Sequence, residues 1–459
     1  MDIAIIGGGL TGLTAAYELL KSGHRVTMFE KEKTLGGLAG GFRMPHWLAD
    51  RPVRRNLGEG GSLGEGWSLE FYYHHFFTND DVLINLAKEL GLEKEMIILS
   101  PVTSVYWNKN QYPFDTPLTI LKFPGIPFVD RLRTGATAAC MKINPFWKPL
   151  ERVTAKKLFR MINGKHAWNT IWEPLLDAKF GPYKDLIPAS WLWARIKKRT
   201  PSLGYFRGGF QTLVNRLADA IKKQGGTVIT NKPISSIQIK STNPTNLQIR
   251  QINGDNKKNE NNLSFDICHL TFNKVLITTP SSVATKLIKF PKPYEQKLKA
   301  IPHLWAQTLI LETKEPILNK TYWLNITDPS FPFIAVVAHT NMVDKKYYGG
   351  NHITYIGNYL PDGHPYLMFT PKQLLKEFTP FIQKINPSFR PPTSALCHLF
   401  TAPAAQPVHT LNYSKKAPTI KTPIEGIYLA NLDSIYPWDR GTNYAVELGQ
   451  QAASTILNS

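Results

Sequence analysis

The stretch IAIIGGGLTGLTAAYELLKSGHRVTMFE, Ile3 to Glu30, decides the fold. Ile3 to Ile6 is a short apolar run of the kind a buried parallel strand requires. It leads into Gly7-x-Gly9-x-x-Gly12, and LTAAYELLKSG behind it reads as an amphipathic helix. VTMF (Val26 to Phe29) reads as a second strand and ends in Glu30. The first glycine permits the tight turn, the second lets backbone approach a pyrophosphate, and the third lets helix pack on strand. The helix N-terminus offers free N–H groups to the phosphates. Glu30, at the end of the second strand, is placed to accept from a ribose hydroxyl. A lone GxGxxG is weak, but this one lies between strand and helix with the acid in place, so a dinucleotide-binding βαβ unit is expected over a plain Gly-rich turn.

The next residues, KEKTLGGLAGGF, carry the doublet Gly36-Gly37. Fingerprint, acid and doublet together resemble the FAD-binding superfamily of amine oxidases, protoporphyrinogen oxidases, phytoene desaturases and UDP-galactopyranose mutases. The resemblance implies a Rossmann-like FAD domain, α/β in class, in which the doublet passes close to FAD. A second GxGxxG after a strand is missing; the glycines of Leu57 to Gly66 have the wrong spacing, so a separate NAD(P)H domain is not indicated.

The far end resembles the same superfamily. GIYLAN (Gly426 to Asn431) reads as a strand, LDSIYPWDRGTN as a loop and YAVELGQQAASTIL as a closing helix. The resemblance implies that this helix aims its N-terminus at the flavin, where its positive end stabilises negative charge on the reduced ring. Gly441, Thr442 and Asn443 are then flavin-contact candidates, and Asp433 lies near the ribityl chain or pyrophosphate. Two departures stand out. Asn431-Leu432-Asp433 replaces the usual Gly-Asp, and Leu38 stands where many oxidases have Arg, which favours the desaturase-like or mutase-like branches. The plain alternative for YPWDRGTN is a capped helix start with Asp439 and Arg440 paired. In the middle, Gly204 to Ile237 resembles the superfamily's Gly-Gly turn, helix and strand, with Pro233 and Ile234 as adenine candidates, and Lys274 to Pro280 resembles a later strand.

Composition sets the outer limits. A chain of 459 residues, 42% hydrophobic and 19% charged, is globular and long enough for two domains. Its net charge of +20 favours anionic partners. Nucleic acid is set aside, because no helix-turn-helix, zinc-finger or RNA-binding signature accompanies the dispersed basic residues. Cys140, Cys268 and Cys397 are far apart and form neither a CxxC pair nor a disulfide framework, which fits a reducing compartment. No signal-peptide pattern opens the chain and no apolar run is long enough to cross a bilayer. A cytoplasmic protein is expected, with peripheral contact at the inner face of a membrane as a further expectation.

The FAD domain is expected at 1–75, 191–294 and 416–459, and a mixed α+β substrate domain at 76–190 and 295–415. Trp172, Phe180, Trp191 and Trp193 with nearby Lys and Arg read as an apolar patch with a basic rim, as on a protein lying on an anionic membrane. Ordinary core and a deep apolar substrate cavity are the alternatives. Ser241 to Asn262 is polar and reads as a surface excursion. Arg51 to Gly66 reads as a lid or a plain loop.

HHFFTND (His74 to Asp80) resembles a stretch that runs beside the flavin in the mutase branch. Adjacent residues on a strand point to opposite faces, so His74 and His75 are poor joint metal ligands, and no metal site is expected. One would face flavin or substrate and the other pack, with Glu70 orienting one of them. The alternative is two histidines satisfied by backbone hydrogen bonds. Weaker substrate-side candidates are Trp172, Arg195, His339, Asn341, Trp438 and Arg440, with a turn cap as the alternative for His339 and Asn341.

The resemblance thus implies an FAD-dependent oxidoreductase of the protoporphyrinogen oxidase or phytoene desaturase kind, passing hydride from a small, lipophilic substrate to flavin N5. Positioning supplies most of the catalysis in such a scheme. The alternative is a mutase-like isomerase acting on a nucleotide sugar, with Arg195, Arg207 or Arg440 as diphosphate clamps. The acceptor and oligomeric state are not legible.

Overall fold

The computed structural model describes residues 1–48, 66–242, 245–251, 269–393 and 396–459. Cys268 and residues 51–65 of the expected lid or loop therefore lie outside the described residues. Two sheets position the site, and they come from interleaved parts of the chain.

The first sheet is five-stranded and wholly parallel. In spatial order its strands are Thr227–Ile229, Arg25–Phe29, Asp2–Ile6, Lys274–Ile277 and Ile427–Leu429. Asp2–Ile6 is central because it is apolar on both faces: Ile3, Ala4 and Ile5 are fully buried. Helices Leu10–Lys21, Gln211–Lys223 and Thr442–Leu457 pack beside it, and Gly449 lets the last of them approach the first. A Cβ at Gly449 would lie 2.6 Å from the Thr11 carbonyl oxygen. The sheet joins the first residues of the chain to some of the last, as the terminal motifs require.

The second sheet has seven strands, in the order Cys397–Pro407, His303–Thr313, His352–Leu360, Ala335–Ala338, Thr321–Ile326, Val102–Trp107 and Asn110–Pro113. Its two faces have different partners. Leu309, Leu311, Val336 and Ile356 cluster with Leu374, Phe378 and Ile382 of helix Pro371–Ile385. Register puts Ala306, Thr308 and Ile310 opposite Tyr359, Gly357 and Tyr355 on the other face. That face meets the segment 70–77: the Tyr355 hydroxyl donates to the Glu70 carbonyl at 2.9 Å, and a Cβ on Gly357 would lie 2.8 Å from the Tyr73 ring. Gly357 is thus the gap that seats Tyr73 on the sheet.

Helices Phe128–Ile143, Ala155–Asn163, Glu173–Phe180 and Ala189–Lys198 share a separate core. Trp172, Phe180, Trp191 and Trp193, read as a surface patch, lie in it with at most 8% exposure. Apolar area of that size is worth most when buried against other helices, and the aromatic patch is core. Ala189–Lys198 runs through the expected boundary at 190/191 and packs with the preceding helices. Part of the polar stretch after Ser241 is a strand. Thr245–Gln251 pairs antiparallel with Ile234–Thr242 and His269–Phe272, because Leu247 and Ile249 alternate inward and are fully buried.

Among the described residues no helix is long and apolar enough to cross a membrane.

Candidate functional site

The three fingerprint glycines do different things. Gly7 has φ +113°, and a Cβ there would lie 2.5 Å from Thr278 Oγ1, which donates to the carbonyls of Ile6 and Gly7 at 3.1 Å. A Cβ on Gly12 would lie 2.1 Å from the Gly7 carbonyl oxygen. Both serve the packing of helix on strand. Gly9 has ordinary extended backbone (φ −74°), and nothing lies within 4 Å of a Cβ built there. That open space adjoins the start of helix Leu10–Lys21, which no side chain caps. An open approach to an uncapped helix N-terminus fits a pyrophosphate.

Gly36-Gly37 closes on this loop. The Gly36 N–H donates to the Gly8 carbonyl at 2.8 Å, and a Cβ on Gly37 would lie 3.3 Å from Gly9 Cα. Both have positive φ, +113° and +56°. Glu30 Oε2 accepts from the Gly8 N–H at 2.7 Å and Oε1 from the Glu32 N–H at 2.9 Å. Backbone bonds from Asn231 to Glu32 and from Lys232 to Glu30 lead Pro233 and Ile234 past this corner.

At the other end, helix Thr442–Leu457 begins after Gly441 with neither a side-chain cap nor an acid in its first turn. Its positive end is free for a ligand. The Asn443 side chain is engaged, Oδ1 accepting from the Leu83 N–H at 3.0 Å, so what Gly441, Thr442 and Asn443 present is backbone. Asp433 departs further from expectation. Its carboxylate is 1% exposed, accepts from Ser281 Oγ and shares a 2.6 Å hydrogen bond with His303 Nε2. That side chain ties the turn to strand His303–Thr313.

His74 and His75 precede the short strand Phe76–Phe77 rather than lying on one. They still face different neighbours: His74 Nδ1 is 2.5 Å from the Tyr72 carbonyl, and His75 Nδ1 is 3.4 Å from the Tyr322 hydroxyl, with its ring edge-on to Trp323. Burial pushes the His74 imidazole down to about 4 and the His75 imidazole to about 3. Both rings are neutral at physiological pH. Glu70 orients neither; its carboxylate accepts from the Tyr205 hydroxyl and, at 2.7 Å, from the Phe210 N–H. Among the described residues no cluster of three His, Cys, Asp or Glu is placed to hold a metal.

The weaker candidates divide. Trp172 is 8% exposed, edge-on to Phe159. His339 is 2% exposed and bonded to the Tyr348 hydroxyl at 2.8 Å, and Asn341 Nδ2 donates to the carbonyls of Leu318 and Thr321. All three serve the protein interior, not an open substrate face. Trp438 is stacked between Trp193 and Tyr444, at 5.1 and 5.6 Å. Arg195 and Arg440, by contrast, are near enough for their charges to act on each other and on the histidines. Sequence reasoning missed their companions Lys179, Arg199 and Tyr359, which come from separate elements and carry no local signal. Arg440 lies 4.8 Å over the Tyr359 ring, and Lys179 lies 5.2 Å from the same ring. Asp439 does not pair with Arg440; it is 2.9 Å from Lys179 and 3.3 Å from Arg195. Arg207, the third possible clamp, is exposed at the end of strand Leu203–Phe206.

Two uncapped helix ends, an open glycine loop and an acid at the second strand define a dinucleotide-binding flavoprotein fold. The family model described as flavin containing amine oxidoreductase matches residues 10–457, and the chain belongs to that family, whose cofactor is FAD. An oxidoreductase from Methanosarcina mazei shares the fold at TM-score 0.68 and 18% identity, covering 100% of both chains. A double mutant of putrescine oxidase does so at TM-score 0.69 and 15% identity, over 100% of this chain and 99% of that one. A zeta-carotene desaturase of Solanum lycopersicum is 33% identical over 98 residues, 21% of this chain. That match spans 13% of the desaturase's own length.

Proposed function

We propose that this FAD-dependent oxidoreductase is a dehydrogenase of the desaturase or oxidase kind, taking hydride from a C–H bond of a substrate with a lipophilic body. FAD, when bound, supplies the two-electron acceptor. Gly7, Gly9, Gly12, Glu30, Gly36, Gly37, Pro233 and Ile234 would hold its adenosine diphosphate half, and the backbone of Gly441 to Asn443 its ring.

The observation that carries the reading is the wall beside His74 and His75. Tyr73 meets Trp323 edge-on at 4.7 Å, and Tyr322, Trp323 and Phe77 surround the His75 ring. Aromatic walls and neutral imidazoles orient an apolar group and exclude water. A ring held near 3 or 4 is a weak base at neutral pH, which leaves positioning as the chain's main contribution. A membrane source for the substrate is supported by helix Phe128–Ile143 and its approach: Leu118, Phe128 and Val129 are 58–63% exposed among Lys122, Arg131 and Arg133.

The test is an anaerobic visible-spectrum titration of the yellow protein with membrane lipid extract. Bleaching is the expected result, and an unchanged spectrum would remove the lipophilic-substrate reading.

A further inference from the structure

A cavity of about 470 Å³ lies between Leu186, residues 300–302 and the segment that follows strand Cys397–Pro407. None of the flavin-contact candidates lines it. Its wall is largely apolar: Ile301, Val408 and Tyr413 are buried, and Leu186 is 48% exposed. A hollow of this size and character takes the apolar body of a small ligand. The charged residues that line it are Lys297 and Lys416. Lys416 Nζ donates to Thr410 Oγ1 at 2.6 Å, and among the described residues Lys297 has no hydrogen-bond or ion-pair partner. The carboxylates of neighbouring stretches are engaged elsewhere: Glu295 with Lys299, Asp185 with Lys156 at 3.0 Å, and Glu151 with the Ser414 N–H and hydroxyl. Two ammonium groups beside an apolar wall, with no acid between them, complement an anion carried on a hydrocarbon chain.

The same wall backs the turn that follows strand Ile427–Leu429. The Tyr413 hydroxyl donates to the Asp433 carbonyl at 3.0 Å, and the Val408 N–H donates to the Pro302 carbonyl at 2.9 Å. His303, next to Pro302, shares its 2.6 Å hydrogen bond with the Asp433 carboxylate. We propose that this cavity is an effector site for a free alkyl carboxylate, whose chain lies on the apolar wall and whose head meets Lys297 and Lys416. Its occupancy steadies Tyr413 and the Asp433 turn, and so slows the loss of FAD. No guanidinium lines the cavity, so the planar fork that suits phosphate is missing and point charges meet the head group. The site is independent of what the flavin oxidises.

The test is calorimetric titration of the FAD-loaded protein with butanoate, hexanoate and octanoate. Affinity should rise about fourfold for each methylene that enters the cavity. Octylammonium should not bind. Ala300→Trp, at an exposed position, fills the cavity and should abolish octanoate binding. Lys297→Ala and Lys416→Ala should each weaken octanoate by about 2- to 5-fold, as for ion pairs partly in water. FAD release, followed by the gain of flavin fluorescence, should slow in octanoate for the parent. It should not slow for Tyr413→Phe, which keeps the ring and loses the hydrogen bond to Asp433. Affinity independent of chain length, or parent-like binding by Ala300→Trp, would overturn the site. Tighter binding of octyl phosphate than of octanoate would overturn the carboxylate assignment. An unchanged release rate at saturating octanoate, or bleaching of the flavin by octanoate, would overturn the effector role.

Discussion

Replacing Gly9 by Ala separates the glycine loop's role in binding from its role in folding. The backbone at Gly9 (φ −74°, ψ 175°) suits any residue, and the new methyl meets no protein atom within 4 Å. The apoprotein should therefore lose no stability, and the smaller entropy of its unfolded chain should add about 0.4–1 kcal/mol. The same methyl stands where the pyrophosphate approaches the helix N-terminus. Displacing the phosphates removes one or two charge-assisted hydrogen bonds, each about 1.5–3 kcal/mol. At 1.4 kcal/mol per tenfold, FAD affinity should fall by roughly 10- to 100-fold or more. Gly12→Ala is the contrast: its methyl would sit 2.1 Å from a backbone oxygen, where ordinary contact begins near 3.4 Å. The helix must then shift off the strand, at about 1–3 kcal/mol or more of apoprotein stability. The assay is thermal denaturation of both apoproteins together with flavin-fluorescence titration. Gly9→Ala binding FAD as tightly as the parent, or melting as early as Gly12→Ala, would refute the assignment.

Burial would raise the Glu312 carboxyl, but hydrogen bonds from His398, Trp47 and His46 outweigh it and hold the group at about 2. Its stabilisation is complete above the unfolded value near 4.5 and is lost as pH falls towards 2; Glu312→Gln should cost about 2–4 kcal/mol at neutral pH and flatten that acid limb in urea melts. Burial brings the Lys179 ammonium down to about 7 although Asp439 opposes it. His75→Phe keeps the shape of a ring that is already neutral, so the profile of kcat/KM between about pH 5 and 8 should keep its form; loss of an ionisation in that window would show that His75 titrates during turnover.

The five-stranded sheet was legible because each of its strands is a short apolar run next to a glycine turn or a helix of regular period, and such signals are local. The FAD family was legible for the same reason: Gly7, Gly9, Gly12, Glu30 and the doublet lie within one stretch of chain. Reading failed where a residue's role depends on what packs against it. Trp172, Trp191 and Trp193 have the composition of a surface patch and the burial of a core, because helices distant in sequence close over them. His339 and Asn341 are polar residues after an apolar strand in either setting; partners at Tyr348, Leu318 and Thr321 commit them to the interior. Leu247 and Ile249 are too sparse among polar neighbours to announce a strand until two others pair with it.

The sequence by itself determined the cofactor fold, since a dinucleotide is held largely by backbone whose path glycine and helix periodicity dictate. The charged cluster around Asp439 was decided by tertiary structure alone. Lys179, Arg195, Arg199, Asp439 and Arg440 come from three separate stretches of chain, and charge acts through space rather than along sequence. Only when helices Glu173–Phe180 and Ala189–Lys198 close on the turn before Thr442 do Lys179 and Arg195 meet Asp439.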